Sequence, residues 1–162
     1  MARRPLTRDD LDFETCCFVC DPANAGGLNV PFFVEEGGER VVADYVPAPE
    51  HEGAPQIVHG GVLGAVLDDA MAWAVNTLTE SFGLTQRAEI EFLRAVRAGS
   101  TYAVAAWIEE ADAERAVVVA ELRDQKARVC TTMRGQFSLV SREEAIRIFA
   151  CRPTDAPKGT SS

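Results

Sequence analysis

The chain has 162 residues, 47% of them apolar and 25% charged, with 16 basic against 25 acidic side chains and a net charge of −9. A chain of this length forms one domain that buries about 70% of its unfolded surface, so it folds without disulfides or a structural metal. The composition excludes a disordered chain, a collagen and a coiled coil. The acidic balance excludes nucleic acid and anionic membrane surfaces as partners held by phosphate neutralisation.

Residues 1–30 are mixed and end in turn chemistry, Asp21-Pro22-Ala23-Asn24-Ala25-Gly26-Gly27. They are read as an N-terminal segment ahead of a domain spanning 31–150. Basic residues at the start are not followed by an apolar stretch, and Asp9, Asp10, Asp12 and Glu14 argue against a transit peptide, so the expected location is cytoplasmic. The five cysteines, at 16, 17, 20, 130 and 151, do not have the spacing of a disulfide scaffold and are expected to be reduced. Cys17-x-x-Cys20 is half a zinc spacing with no second pair, so no metal is expected.

A strand is expected over 31–35, a turn at Gly37-Gly38, a second strand over 40–46 and a Pro/Gly loop over 46–56. Residues 59–78, HGGVLGAVLDDAMAWAVNTL, predict one long helix, apolar nearly all round. Its length approaches a membrane span, but two adjacent aspartates in the middle would be costly in lipid. Four strands are expected over 84–94, 101–109, 115–124 and 128–140. Tyr102, Val104, Ala106 and Ile108 alternate inward, as do Val129, Thr131, Met133, Gly135, Phe137 and Leu139. The continuous run 116–122 suits a central strand. A short helix over 142–150 would be capped by Ser141, with Glu144 three residues on. Residues 151–162 are expected to form a disordered tail. Two strands, a helix, then four strands do not alternate as a doubly wound sheet does. The predicted class is α+β, an antiparallel sheet of about six strands curled around one central helix.

His59-Gly60-Gly61 opens the long helix. First-turn amides and the positive end of the helix dipole suit a carbonyl or oxyanion, and two glycines admit a close approach. Asp68 and Asp69 lie mid-helix, about 100° apart around the axis, and so occupy different environments. Asp68 stacks over Gly61, Gly64, Ala65 and Ala72, a face with room for a ligand. Asp69 neighbours Ala65, Val66, Ala72 and Trp73. Arg87, Arg94 and Arg97 form a basic cluster suited to phosphate, or simply a solvated edge.

His-Gly-Gly followed by an apolar helix, with an acid nine residues after the His, resembles the hotdog-fold acyl-CoA thioesterases of the PaaI type. The lead-in Glu52-Gly53-Ala54-Pro55-Gln56-Ile57-Val58 and the earlier Cys17-Phe18-Val19-Cys20, with Asn24 and Gly27-Leu28, resemble the branch containing the mitochondrial thioesterase-superfamily proteins. Residues 89–96 and Gly99 are similar to the strand after the helix in that family. The resemblance implies that the Gly60 N–H holds the thioester carbonyl and that His59 positions the helix start. It further implies that Asp68 is nucleophile or general base, and that Thr85 stands beside the acid and its water. Gly61, Arg94 and Arg97 would bind substrate, the arginines through coenzyme A phosphates. No cofactor is implied. A homodimer or homotetramer is, because in the family the Gly of one subunit faces the acid of the other. One departure is Gly53, where PaaI-type enzymes commonly carry Asn; the amide is missing, or another residue such as Gln56 supplies it. A non-catalytic acyl-CoA-binding module on the same fold is the alternative. A hydratase is disfavoured because the candidate acid follows the His and no Asp-x-Asn-Pro-x-His occurs.

Overall fold

The computed structural model describes residues 2–11 and 13–149. Seven of its strands are β1 Arg3–Pro5, β2 Phe33–Glu35, β3 Val41–Tyr45, β6 Ser81–Phe92, β7 Tyr102–Ala111, β8 Arg115–Arg123 and β9 Val129–Ser141. They form one antiparallel sheet in the order β1-β2-β3-β7-β8-β9-β6. A separate small hairpin pairs β4 Glu52–Ala54 with β5 Ile57–Val58. Helix α1, Gly60–Leu78, lies in the hollow of the sheet against β3, β6, β7, β8 and β9. Helix α2, Arg142–Phe149, follows β9, and Glu144 N–H donates to Ser141 Oγ at 3.1 Å, the expected cap.

The helix forms where it does because its apolar residues can be buried there. Val66, Leu67, Ala70, Met71, Ala74 and Val75 are fully enclosed. Their sheet counterparts are the predicted alternating sets: Tyr102, Val104 and Ala106 on β7, and Thr131, Met133 and Phe137 on β9. The run 116–122 is β8, between β7 and β9, with Ala116, Val118, Ala120 and Leu122 turned to the helix. Thr79 ends α1: its Oγ1 donates to Val75 O at 2.7 Å and accepts from Ser81 N at 3.1 Å, which turns the chain directly into β6.

Three details differ from the sequence expectation. The sheet has seven strands because Arg3–Pro5, in the N-terminal segment, adds an edge beside β2, with Arg3 paired to Asp44 at 2.7 Å and stacked on Phe33. The 46–56 loop contains half of the β4–β5 hairpin. β6 begins at Ser81, not at 84, because Gly83 is a packing glycine within the strand: a Cβ there would lie 2.9 Å from both Phe137 Cδ1 and Val75 Cγ1. The expected tail at 151–162 lies outside the described residues. Among the described residues no helix is long and apolar enough to cross a membrane.

Phe137 is 1% exposed and fills the space beside Gly83 and Gly135 under the helix. Phe137→Ala is expected to lower unfolding stability by about 3–5 kcal/mol, through lost transfer energy and the cavity left behind. Denaturant titration of the variant against the parent checks this.

Candidate active site

The β4–β5 hairpin delivers the chain to the helix start. Val58 N–H donates to Val96 O at 2.9 Å and His59 N–H to His51 O at 2.8 Å, so residues 57–59 are held from two sides. His59 is the N-cap: its Nδ1 accepts the Gly61 N–H at 2.9 Å, which places the ring proton on Nε2. Val62 and Leu63 N–H both reach His59 O. The Gly60 N–H is left without an acceptor among the described residues, at the positive end of a 19-residue helix. The exposed Phe92 ring lies against the Gly60 Cα.

Gly53 has a spatial reason. A Cβ there would lie 2.8 Å from His59 Cδ2 and 3.0 Å from its Cα, so the hairpin can hug the capping histidine only with glycine at this position. An Asn side chain does not fit beside His59 as it stands. Gln56, the other candidate amide, sits at the hairpin tip with φ of +64° and accepts at Oε1 from Arg97 at 3.4 Å.

Asp68 lies half-buried on the open face of α1. Thr85 Oγ1 donates to its Oδ1 at 2.9 Å. A bulge in β6 between Thr85 and Arg87 locally breaks the register with β9, next to the residue that reaches the helix. Burial raises the Asp68 pKa, and the Thr85 hydrogen bond opposes that rise. His59, Gly60 and Gly61 thus form one group, and Asp68 with Thr85 a second. Eight residues of helix separate Gly60 from Asp68, about 12 Å along the axis.

Each arginine of the expected cluster has its own partner. Arg87 is paired with Glu89 on the exposed strand. Arg94 donates to Val129 O at 2.5 Å. Arg97, bridged to Ile57 and bonded to Gln56, flanks the hairpin that leads to His59.

Asp69 faces the other way, toward the N-terminal segment. Cys17 Sγ lies 3.3 Å from its Oδ1, and Trp73 Nε1–H donates to Cys20 Sγ at 3.4 Å. Burial pushes Asp69 up to about 8, and the neighbouring Cys17 adds to the rise. Cys17 is held well below the usual thiol range by hydrogen bonds from the Cys20 thiol and from the Cys20 and Val19 amides, and Cys20 is correspondingly raised. Sequence reasoning misses this cluster because Asp69 joins the two cysteines only through the fold.

Residues 55–131 match the family model of the Thioesterase superfamily. No curated protein matches. Among solved structures, the chain is similar to a thioesterase superfamily protein with a TM-score of 0.68 and 21% identity, over 72% of this chain and 57% of that one. It therefore spans less than two thirds of that protein's length. It is similar to the Escherichia coli PaaI protein from the phenylacetic acid degradation operon (TM-score 0.64, 23% identity, 70% of this chain and 81% of that one). It is also similar to a hypothetical Streptococcus pneumoniae thioesterase solved with coenzyme A (0.61, 16%, 64% and 80%). At these identities the structural likeness is one of fold. Residues 55–131 thus match the Thioesterase superfamily, and the sheet wrapped on its helix is the hotdog fold that the similar structures share.

Gly53→Ala tests the hairpin contact. The added methyl is expected to destabilise by about 1–3 kcal/mol through overpacking against His59. Thermal unfolding measures it, and an unchanged Tm would mean that the hairpin moves freely away from the cap.

Proposed function

We propose that the chain is an acyl-CoA thioesterase that hydrolyses a thioester to a free acid and coenzyme A. The observation that carries this reading is the Asp68–Thr85 pair on the open helix face, with an unused amide at the same helix's start. The Gly60 N–H donates to the developing oxyanion of the thioester carbonyl. Thr85 fixes one oxygen of Asp68, leaving the other to take a proton from water or to attack the carbonyl carbon itself. Burial makes this carboxylate more basic than a solvated one, which suits the proton-accepting role. The tetrahedral intermediate collapses by expelling the coenzyme A thiolate; if Asp68 itself attacked, this leaves an anhydride between the acyl group and Asp68, which water then hydrolyses to the free acid and the regenerated carboxylate. His59 holds the first turn rigid through Gly61. Arg94 and Arg97 meet the phosphates of the nucleotide. Coenzyme A is bound by the pneumococcal relative, which supports the substrate class.

About 12 Å between Gly60 and Asp68 is too far for both to touch one thioester carbonyl, so the reading requires two copies of the chain, the amide of one facing the acid of the other. β6 offers the means: among the described residues it is a sheet edge twelve residues long, paired only with β9, with Phe92 and Leu93 exposed at its end. The second reading, an acyl-CoA-binding module without turnover, is favoured by the missing amide at Gly53, which in PaaI-type enzymes would orient water.

Free-thiol release across short, long and aryl acyl-CoA esters is the assay. Asp68→Asn is expected to lower turnover by about 10²–10⁴. Asp69→Asn, whose side chain points about 100° away, changes it only a few-fold. Binding of esters without hydrolysis of any would select the non-catalytic module.

Complementation tests the shared site. Gly60→Pro removes the N–H at the one helical position where proline is accommodated, and is expected to cost about 10²–10³ in turnover. Co-refolding it with Asp68→Asn should restore roughly a quarter of parent activity, because half the dimers are mixed and each mixed dimer keeps one intact site. No recovery, or a fully active monomer by sedimentation, contradicts the two-copy arrangement.

A further inference from the structure

We propose that Cys17, Cys20 and Asp69 form a binding site for a divalent metal ion of the zinc class, which fastens the N-terminal segment to helix α1. The site is separate from Asp68 and Thr85 and does not rest on the hydrolase reading. The two Sγ atoms and a carboxylate oxygen all lie within 4.8 Å of one another, with Cys17 Sγ and Asp69 Oδ1 at 3.3 Å. A tetrahedral ion with the usual zinc bond lengths needs about 3.8 Å between two sulfurs and about 3.5 Å between sulfur and oxygen. To close on an ion, the Cys17–Asp69 distance has to widen by about 0.2 Å and the other two distances have to shorten by no more than about 1.3 Å.

Three further observations point the same way. Asp69 Oδ2 is shielded from solvent and has no hydrogen-bond partner, although the rest of the cluster is bonded; a buried acceptor of this kind calls for an ion or a donor. Both sulfurs already accept N–H donors, Cys17 from Val19 at 3.3 Å and Cys20 from Trp73 at 3.4 Å, the outer bonds that steady ligating thiolates. The loop carrying the cysteines is wound tightly. Leu28 N–H donates to Phe18 O at 2.7 Å, and a Cβ on Gly27 would lie 2.6 Å from that same oxygen. Asp21, directly after Cys20, is clamped by Arg8 at 2.6 and 2.7 Å.

Three protein ligands leave one position open. Cys20 and Trp73 also line a cavity of about 330 Å³ with Leu11, Pro31 and Phe32, which gives the ion a route in and a place for water or a small donor as fourth ligand. Thiolates with a carboxylate select a borderline-soft divalent ion over magnesium or calcium. Binding displaces whatever protons the two sulfurs and the carboxylate carry and transfers no electrons.

The experiment uses the untagged full chain, reduced and then loaded with Zn²⁺ or with Co²⁺. One equivalent per chain is expected to survive gel filtration. The Co²⁺ form should show near-ultraviolet thiolate charge-transfer absorption and the intense visible bands of a four-coordinate ion. Zn²⁺ should raise the Tm of the parent. Cys17→Ser and Cys20→Ser should each lose most of the charge-transfer signal, and Asp69→Asn should weaken binding by roughly tenfold or more. Asp69→Asn keeps side-chain size, so it carries the test if a cysteine variant does not fold. Absence of retained metal, equal retention by all variants, a Co²⁺ spectrum without thiolate absorption, or a Cys17–Cys20 disulfide formed in preference to metal binding would each overturn the proposal.

Discussion

The structure depends on one constraint: a 19-residue helix that is apolar on most of its circumference has to be covered, and a single sheet can cover only one side of it. The sheet takes the side bearing Leu67, Ala70, Met71 and Ala74. The N-terminal segment takes the flank bearing Asp69 and Trp73. The remaining face, with Gly61, Gly64, Ala65 and Asp68, is only partly covered. The three faces of the helix therefore differ in what they do. One gives stability under the sheet, one anchors the N-terminal segment, and one stays open where a ligand or a second copy can approach.

The two adjacent aspartates show how finely helical geometry divides these roles. One residue of rotation turns the side chain by about 100°, enough to move it from one covering element to another. Both carboxylates lose water and both are raised by burial, but they find different partners. Asp68 receives a hydroxyl donor from a strand that follows the helix. Asp69 meets two thiols from a loop that precedes it. A carboxylate in so apolar a helix has to be satisfied from outside that helix, because nothing on α1 itself bonds to either one.

Glycine sets the clearances. Gly53 lets the hairpin press on His59, which in turn caps Gly61 and leaves the Gly60 amide open. The absence of Asn at 53 is then a consequence of how closely this hairpin approaches the helix start. Gly83 plays a comparable part under the sheet, where Phe137 and Val75 meet its backbone.

The helix, the two clean alternating strands, the central strand at 116–122 and the pairing of Asp68 with Thr85 were legible in the sequence, the first three from hydrophobic period and the last from resemblance. Period is local, so it survives without knowledge of the fold. The short edge strand at Arg3–Pro5 and the β4–β5 hairpin carry too few residues for any period to register, and they exist because their neighbours offer pairing partners. Cys17 and Cys20 were visible only as an incomplete motif. Their partner lies about fifty residues on, within a helix whose apolar pattern gives no sign of the contact. The sequence by itself determined which residues must be buried and on which periodic face. The tertiary structure alone decided which buried polar groups meet, because that depends on elements distant in the chain closing on the same side of one helix.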